Sequence, residues 1–193
     1  MNTQYTGTCM TSKRQKILDA TLQLAVDTGI DAISTLNIAK TAGVAKATLF
    51  HHFPTKSELI DAVYKSIKSD FDFFSAPEDL SFEQQFFHMW RSSLDWALEN
   101  PQKITFLNAY YTATSVPSFR RREAKNESTI ALRKMITQAQ KNQEIATENA
   151  EVLIEFIYAL FMSTALLLHS NDKVNTEQYI SDSLSIVRRT INI

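Results

Sequence analysis

The sequence predicts an all-α protein: a small three-helix unit at the N-terminal end of a larger helical body, about nine helices in all. Two observations carry this. Glycine is scarce, with Gly7, Gly29 and Gly43 alone in 193 residues, whereas hairpins and tight β-turns consume it. The four prolines, Pro54, Pro77, Pro101 and Pro117, fall between amphipathic stretches, where proline punctuates helices without breaking them.

Start and stop signals place each element. Ser12 with Gln15 reads as a capping box, followed by Ile17, Leu18, Leu22, Leu24 and Ala25 at helical spacing, and Gly29 closes the first helix. Thr35 is the expected cap of a short second helix, Leu36–Thr41, which ends at Gly43. A third short helix, near Lys46–Phe53, stops at Pro54. Thr55 with Glu58 opens a longer helix through about Phe74, which Pro77 ends. Ser81 with Gln84 opens the next, to about Glu99. Asn100-Pro101 then starts a helix with proline in its first turn. Pro117-Ser118 precedes one reaching about Gln143. Thr147 and Thr176 are the expected caps of the last two, with Glu148, Glu151 and Glu177 near their positive ends. The expected division is a flexible leader at 1–11, a helix-turn-helix unit at 12–54 and a body at 55–193.

Composition narrows the class. Hydrophobic residues make up 44% and charged residues 21%, which suits a globular chain with a sizeable core. The single cysteine, Cys9, excludes an internal disulfide and a cysteine cage for zinc. The first ten residues lack the basic start and apolar run of a secretory signal. The longest apolar run, Phe156–Leu168, is thirteen residues, against the ~20 that cross a bilayer. A cytoplasmic location is therefore expected. The net charge of −1 is unevenly spread: residues 1–68 hold eight Lys/Arg and five Asp/Glu, the remainder twelve and sixteen. A head at +3 on a body at −4 suits an anionic polymer at one end only.

Residues 35–53 carry the functional signal. Two short helices meet at a turn containing Gly43, where the chain must go left-handed without a Cβ clash. Ala39 is small enough for the second helix to cross close by. Ile38, Ala42, Val44, Leu49 and Phe53 form an apolar underside. Lys46, Ala47, Thr48, Phe50, His51 and His52 are left on the other faces of the third helix. This is the geometry of a helix-turn-helix, whose second helix enters the major groove; two core helices with an incidental glycine are the plainer alternative.

Residues 14–60 resemble the N-terminal domain of the TetR/AcrR family of regulators. Arg14 to Gly29 follows that family's first-helix pattern R-x-x-I-L-x-A-A-x-x-L-F-x-x-x-G. Thr35 stands three residues before Ile38, and Ile38, Ala39, Ala42, Gly43, Val44, Thr48, Leu49, His52, Phe53, Lys56 and Leu59 stand in register with I-A-x-x-A-G-V-S-x-G-T-L-Y-x-H/Y-F-x-S-K-x-x-L. The resemblance covers about a quarter of the chain. It implies that Lys46, Ala47, Thr48 and His51 face base edges or nearby phosphates, and that Thr35, Phe50, His52 and Lys56 position the DNA backbone. Lys13, Arg14 and Lys16 could reach phosphate or simply form a charged helix end. Three departures bear on this. Ala45 replaces a serine cap, Ala47 replaces glycine and presents a methyl that can touch thymine, and Phe50 replaces a tyrosine whose hydroxyl reaches the backbone. His51 and His52, about 100° apart on a helix, are not expected to form a metal site.

Aromatic residues crowd the body. Most belong to the core, but rings on crossing helices also leave apolar pockets with a few polar tips. The resemblance implies an effector cavity here, with Trp90, Phe106, Tyr110, Tyr111 and Phe161 as candidates for its lining. His88, Asp95 and His169 could orient a polar head, and Glu155 a cation. Arg120, Arg121, Arg122 and Lys125 could attract an anion or form a solvated helix start. Val152–Leu168 is apolar nearly all round. Its stripe Ile154, Tyr158, Met162, Ala165 and His169, with Ile180, Leu184, Val187 and Ile191 on the final helix, is the expected four-helix dimer interface.

The expectation is thus an all-α, homodimeric DNA-binding regulator: a repressor released from a palindromic double-stranded operator by a small hydrophobic or aromatic effector, with no cofactor, metal or membrane partner. An architectural or division-linked DNA binder of the same fold is the alternative. A helical enzyme is disfavoured, since no phosphate-cradling glycine loop or nucleophile–base set is visible.

Overall fold

The computed structural model describes residues 12–70, 80–145, 148–170 and 175–193; among them the chain forms nine helices and no strand. The expected leader at 1–11, the extension to Phe74, the break at Pro77 and the cap at Thr147 lie outside the described residues.

The first helix, α1 (Lys13–Thr28), starts where the Gln15 amide donates to the Ser12 hydroxyl at 3.1 Å and ends at Gly29, whose φ of 85° only glycine adopts readily. The second, α2 (Thr35–Thr41), is capped by Ser34, not Thr35. Ser34 has the extended backbone that a cap needs (φ −113°, ψ 148°), which leaves Thr35 as the first helical residue. Gly43, at φ 65°, closes α2: its amide donates to Lys40 O at 3.2 Å, and the Val44 amide to Ala39 O at 3.0 Å. This paired closure satisfies carbonyls that would otherwise be orphaned.

Next come α3 (Lys46–His52) and α4 (Lys56–Ser69), the latter capped by Thr55. The body adds α5 (Phe82–Glu99), which has a reciprocal Ser81–Gln84 capping box, α6 (Pro101–Thr112) and α7 (Ser118–Lys141). Beyond α7, Gln143 takes a left-handed φ of 61° in a turn of the Gly43 kind, with the Glu144 amide donating to Ala139 O. No glycine marks that turn in the sequence. Then follow α8 (Ala150–Ser170) and α9 (Thr176–Ile191). Asn149 caps α8 by accepting from the Glu151 amide at 2.9 Å. Asn175, one residue before the expected Thr176, caps α9.

Two helices organise the packing. α1 lies against α2, α3, α4 and α6, so the three-helix headpiece is fixed to the body along its length. α8 lies against α5, α6, α7 and α9. At 21 residues α8 is long and apolar enough, by length and composition, to cross a membrane, which corrects the shorter run read from sequence. It packs against four other helices along one side and is exposed along the other. Arg91 ties α5 to α9 through paired bonds to Glu177 at 2.6 and 2.9 Å, while its Nε bonds Asp95.

Six of the nine residues of the expected dimer stripe are buried within the chain itself. Ile154, Met162 and Ala165 are buried in the chain's own core, as are Ile180, Val187 and Ile191. Tyr158, His169 and Leu184 are half-buried, and the His169 ring bonds Ala97 O at 2.7 Å. The reason is that α8 has two apolar faces, and the richer one turns inward to α5 and α6. The opposite face leaves Val152, Phe156 and Leu167 exposed at 49, 63 and 43%, beside Tyr179 and Ile186 on α9.

Ala45 occupies the cap position of α3 with a suitable extended backbone (φ −66°, ψ 146°) but makes no side-chain cap bond. Ala45→Ser should therefore stabilise the protein by about 1 kcal/mol. Calorimetry at fixed protein concentration should register this as a rise in Tm of roughly 2–4 °C.

Candidate nucleic-acid interface and effector cavity

One face of α3 is spent on holding the helix in place. Leu49 and Phe53, four residues apart, are 0 and 4% exposed and join Ile38, Ala39, Ile17 and Leu18 in the core. Arg14 lies over the Phe53 ring at 5.1 Å, closing the packing from the α1 side. With Leu49 and Phe53 anchored, the helical period sends Lys46, Ala47, Phe50 and His51 to solvent and leaves Thr48 and His52 half-buried. Thus Lys46, Ala47, Phe50 and His51 project to solvent, with Thr48 and His52 at the margin of that surface.

Within that surface Lys46 Nζ sits 5.7 Å from the centre of the Phe50 ring, and the His51 and His52 rings meet edge-on at 5.5 Å. Thr35 lies half-buried at the start of α2, and Lys56 half-buried at the start of α4. The Lys56 ammonium donates to Asp31 O at 3.3 Å, so it is held beside the loop between α1 and α2. Leu36, exposed at 62% on the first turn of α2, was not anticipated. Only its place beside Thr35 marks it in the sequence.

The headpiece is bonded to the body at points the sequence did not reveal. The Asp31 carboxylate accepts from the Thr114 amide and hydroxyl at 2.9 and 3.0 Å and from the Ser115 amide at 2.8 Å. The Ser115 side chain, then the Ser115 and Thr114 amides, hold Asp31 well below the usual carboxylate range. Gln102 on α6 donates to Gln23 on α1. Tyr110 on α6 donates to Asp61 on α4 at 2.7 Å and stacks on Tyr64 at 4.6 Å, while Arg120 approaches Asp61 at 3.6 Å.

The body holds a narrow apolar cavity of about 60 Å³ between α5, α6, α7 and α8, reached also by Lys68 at the end of α4. Trp90, Tyr111 and Phe161 line it as expected, with Met89, Leu132, Ile157 and Met162. Phe106 and Tyr110 do not. They are 0 and 2% exposed and wholly engaged in packing, Tyr110 by its stack on Tyr64 and its bond to Asp61. The polar candidates also fall elsewhere. His88 is exposed, Asp95 is bound to Arg91, His169 to Ala97 O, and Glu155 to Lys125. Aromatic content could not separate lining from packing. Lys68 did carry a signal: it continues the inward row Ile60, Tyr64 at i+4, where a lysine is unusual.

Polar groups gather at one end of this cavity. Ser128 Oγ lies 2.8 Å from the Tyr111 hydroxyl and 3.1 Å from that of Tyr64, which in turn donates to Ala124 O. Tyr111 and Tyr158 meet edge-on at 5.8 Å. Burial pushes Tyr64, Tyr111 and Tyr158 above the ordinary phenol range, so all three are neutral donors at neutral pH. Burial lowers the pKa of Lys68, an effect that Glu127 opposes.

Known proteins resemble this chain both in the headpiece and along its length. Residues 17–63 match the family model described as bacterial regulatory proteins, tetR family. An uncharacterised helix-turn-helix transcriptional regulator of Haemophilus influenzae is 29% identical over 84% of each chain. Another, TtgW of Pseudomonas putida, is 32% identical over 48% of this chain and 68% of its own. The crystal structure of a Shewanella sp. PV-4 protein assigned to the tetR family of transcription regulators superposes with a TM-score of 0.83 at 28% identity, covering 94% of this chain and 98% of that one.

The Asp31 bonds set a pH dependence. A carboxyl whose folded pKa is depressed stabilises the fold above its unfolded value, about 3.9. That contribution is lost as pH falls through the lower folded value. Asp31→Asn should therefore lower Tm at pH 7, and the gap to the wild type should narrow below pH 4 in calorimetric scans.

Proposed function

From the premise that the chain belongs to the TetR family of bacterial regulatory proteins and is a transcriptional regulator of the helix-turn-helix type, we propose that it is a homodimeric repressor that leaves its operator when a small apolar effector enters the body. It acts by binding and not by catalysis, in the cytoplasm, where operator DNA is accessible. The observation that carries this reading is the outward face of α3, with Lys46, Ala47, Phe50 and His51 exposed around a helix that Leu49 and Phe53 hold.

In the proposed complex, two copies of α3 enter successive major grooves about 34–36 Å apart on a near-palindromic duplex. Lys46, Ala47, Thr48 and His51 meet base edges or neighbouring phosphates. Thr35, Phe50, His52 and Lys56 set the register on the backbone. The dimer contact that supports this spacing is the exposed apolar face of α8 and α9, with Val152, Phe156, Leu167, Tyr179 and Ile186. This face is preferred to the expected stripe because six of that stripe's residues are already buried within the chain. A twofold axis there makes the contact self-complementary.

The route for release runs through α4 and α6. Tyr64 and Lys68 place α4 against the cavity's polar end, and Tyr111 does the same for α6. An effector that prefers one arrangement of these helices biases the headpiece through Asp61 and through the Asp31 bonds to Thr114 and Ser115. A drug-sized ligand needs several hundred Å³, so a cavity of about 60 Å³ requires the lining to open on binding.

Two substitutions test the reading. Lys46→Ala and Lys56→Ala should each weaken operator binding. For each dimer the slope of log affinity against log salt should become shallower by roughly 2, since about 0.9 is lost per phosphate contact and each site occurs twice. An unchanged slope would contradict their phosphate role. Phe156→Glu should convert the dimer to a folded monomer by sedimentation velocity, with helix content kept and operator affinity reduced at least tenfold.

A further inference from the structure

The effector's chemistry can be taken one step further, and this step rests on the effector reading above. The apolar cavity adjoins a second, wider depression of about 300 Å³, lined by Ser118, Arg121, Arg122 and Lys125. Tyr111 and Tyr158 belong to both linings, so they stand between the two spaces. The outer space is basic, the inner one is almost wholly apolar, and neither lining contains a carboxylate.

The arginines there are not spent on the protein. Arg120 bonds Glu123 at 3.0 Å and approaches Asp61, and Lys125 pairs with Glu155. Among the described residues neither Arg121 nor Arg122 pairs with a carboxylate. Arg121 Nε is moreover buried with no hydrogen-bond partner. A buried guanidinium N–H without an acceptor is costly, and native proteins seldom leave one so. Its planar fork suits a two-oxygen anion. Lys68, on the inner lining, would repel a cationic ligand.

We infer that the effector is a small amphipathic carboxylate, its apolar body seated in the cavity against Trp90, Leu132 and Phe161 and its head received by Arg121 with Arg122 and Lys125. The Tyr111 and Tyr158 hydroxyls lie along its path and donate to the same head. Glu155 opposes it by holding Lys125, so the outer site is set by a contest between a fixed carboxylate and the ligand's own.

The test uses the full chain and two matched series at pH 7: octanoate, octan-1-ol and octylammonium, and 4-phenylbutanoate with its alcohol and ammonium analogues. Binding is read by titration calorimetry and by tryptophan emission, to which Trp90 of the cavity lining and Trp96 both contribute. At least one acid should bind ten or more times tighter than its alcohol, with the ammonium weakest. Arg121→Gln should remove most of that preference while leaving affinity for the alcohol unchanged. Glu155→Gln should tighten the acid several-fold, a gain that mere loss of structure cannot produce. Leu132→Phe, which fills the cavity, should abolish binding of every probe, and matching thermal scans show that each variant is folded. If the alcohol or ammonium binds better and Leu132→Phe abolishes it, the carboxylate head is overturned and the effector cavity stands. A preference for acid that survives Arg121→Gln overturns the assigned site. If none of the six probes binds, both the carboxylate and the effector reading fall.

Discussion

A seven-residue helix cannot hold itself in water, and α3 stays folded because Leu49 and Phe53 are sunk in a core shared with α1 and α2. That burial fixes the rotation of α3 about its own axis. Once the rotation is fixed, the identity of the outward residues is no longer free: Lys46, Ala47, Phe50 and His51 must face solvent. The Gly43 turn fixes the crossing of α2 and α3, because only a left-handed residue there lets the Val44 amide close back on Ala39. The proposed DNA surface is thus a consequence of packing on the other side of the same helix.

The same economy links the headpiece to the body. α1 touches headpiece and body helices alike, Asp31 and Gln23 of the headpiece accept bonds from α6 or the loop that follows it, and Asp61 ties α4 to α6 within the body. Apolar packing underlies these bonds: Ile17, Leu18 and Ala25 of α1 belong to the same buried core as Ile104 and Leu107 of α6, and the hydrogen bonds border it. A joint in which one core spans headpiece and body couples a shift of α4 or α6 to α1, which suits a two-state regulator. The cavity's polar end, where Ser128 meets Tyr111 and Tyr64, lies on those same helices.

What the sequence disclosed follows the range over which each interaction acts. Caps and turns are local, so Ser12, Thr55, Ser81, Gly29 and Gly43 could be read directly, and Ser34 and Asn175 were missed by one residue because a neighbouring threonine caps nearly as well. The underside of the helix-turn-helix was legible because Ile38, Leu49 and Phe53 have no other use. Which side of α8 turns inward was not, since α8 is apolar on both sides and periodicity does not say which side meets its own chain. The cavity was legible in part. Trp90, Tyr111 and Phe161 line it, while Tyr110 looks the same in sequence and is occupied by Tyr64 and Asp61. Contacts such as Asp31 with Thr114 leave no local trace.

The central claim, that the projecting face of α3 reads DNA as one half of a symmetric pair, is tested most directly by enriching bound duplexes from a random-sequence pool with the purified full-length protein. The account predicts one near-palindromic sequence whose half-sites lie one helical turn apart, with enrichment lost when Lys46, Thr48 and His51 are replaced by alanine. Sequence-tolerant binding with no shared motif, or no enrichment at all, would contradict it.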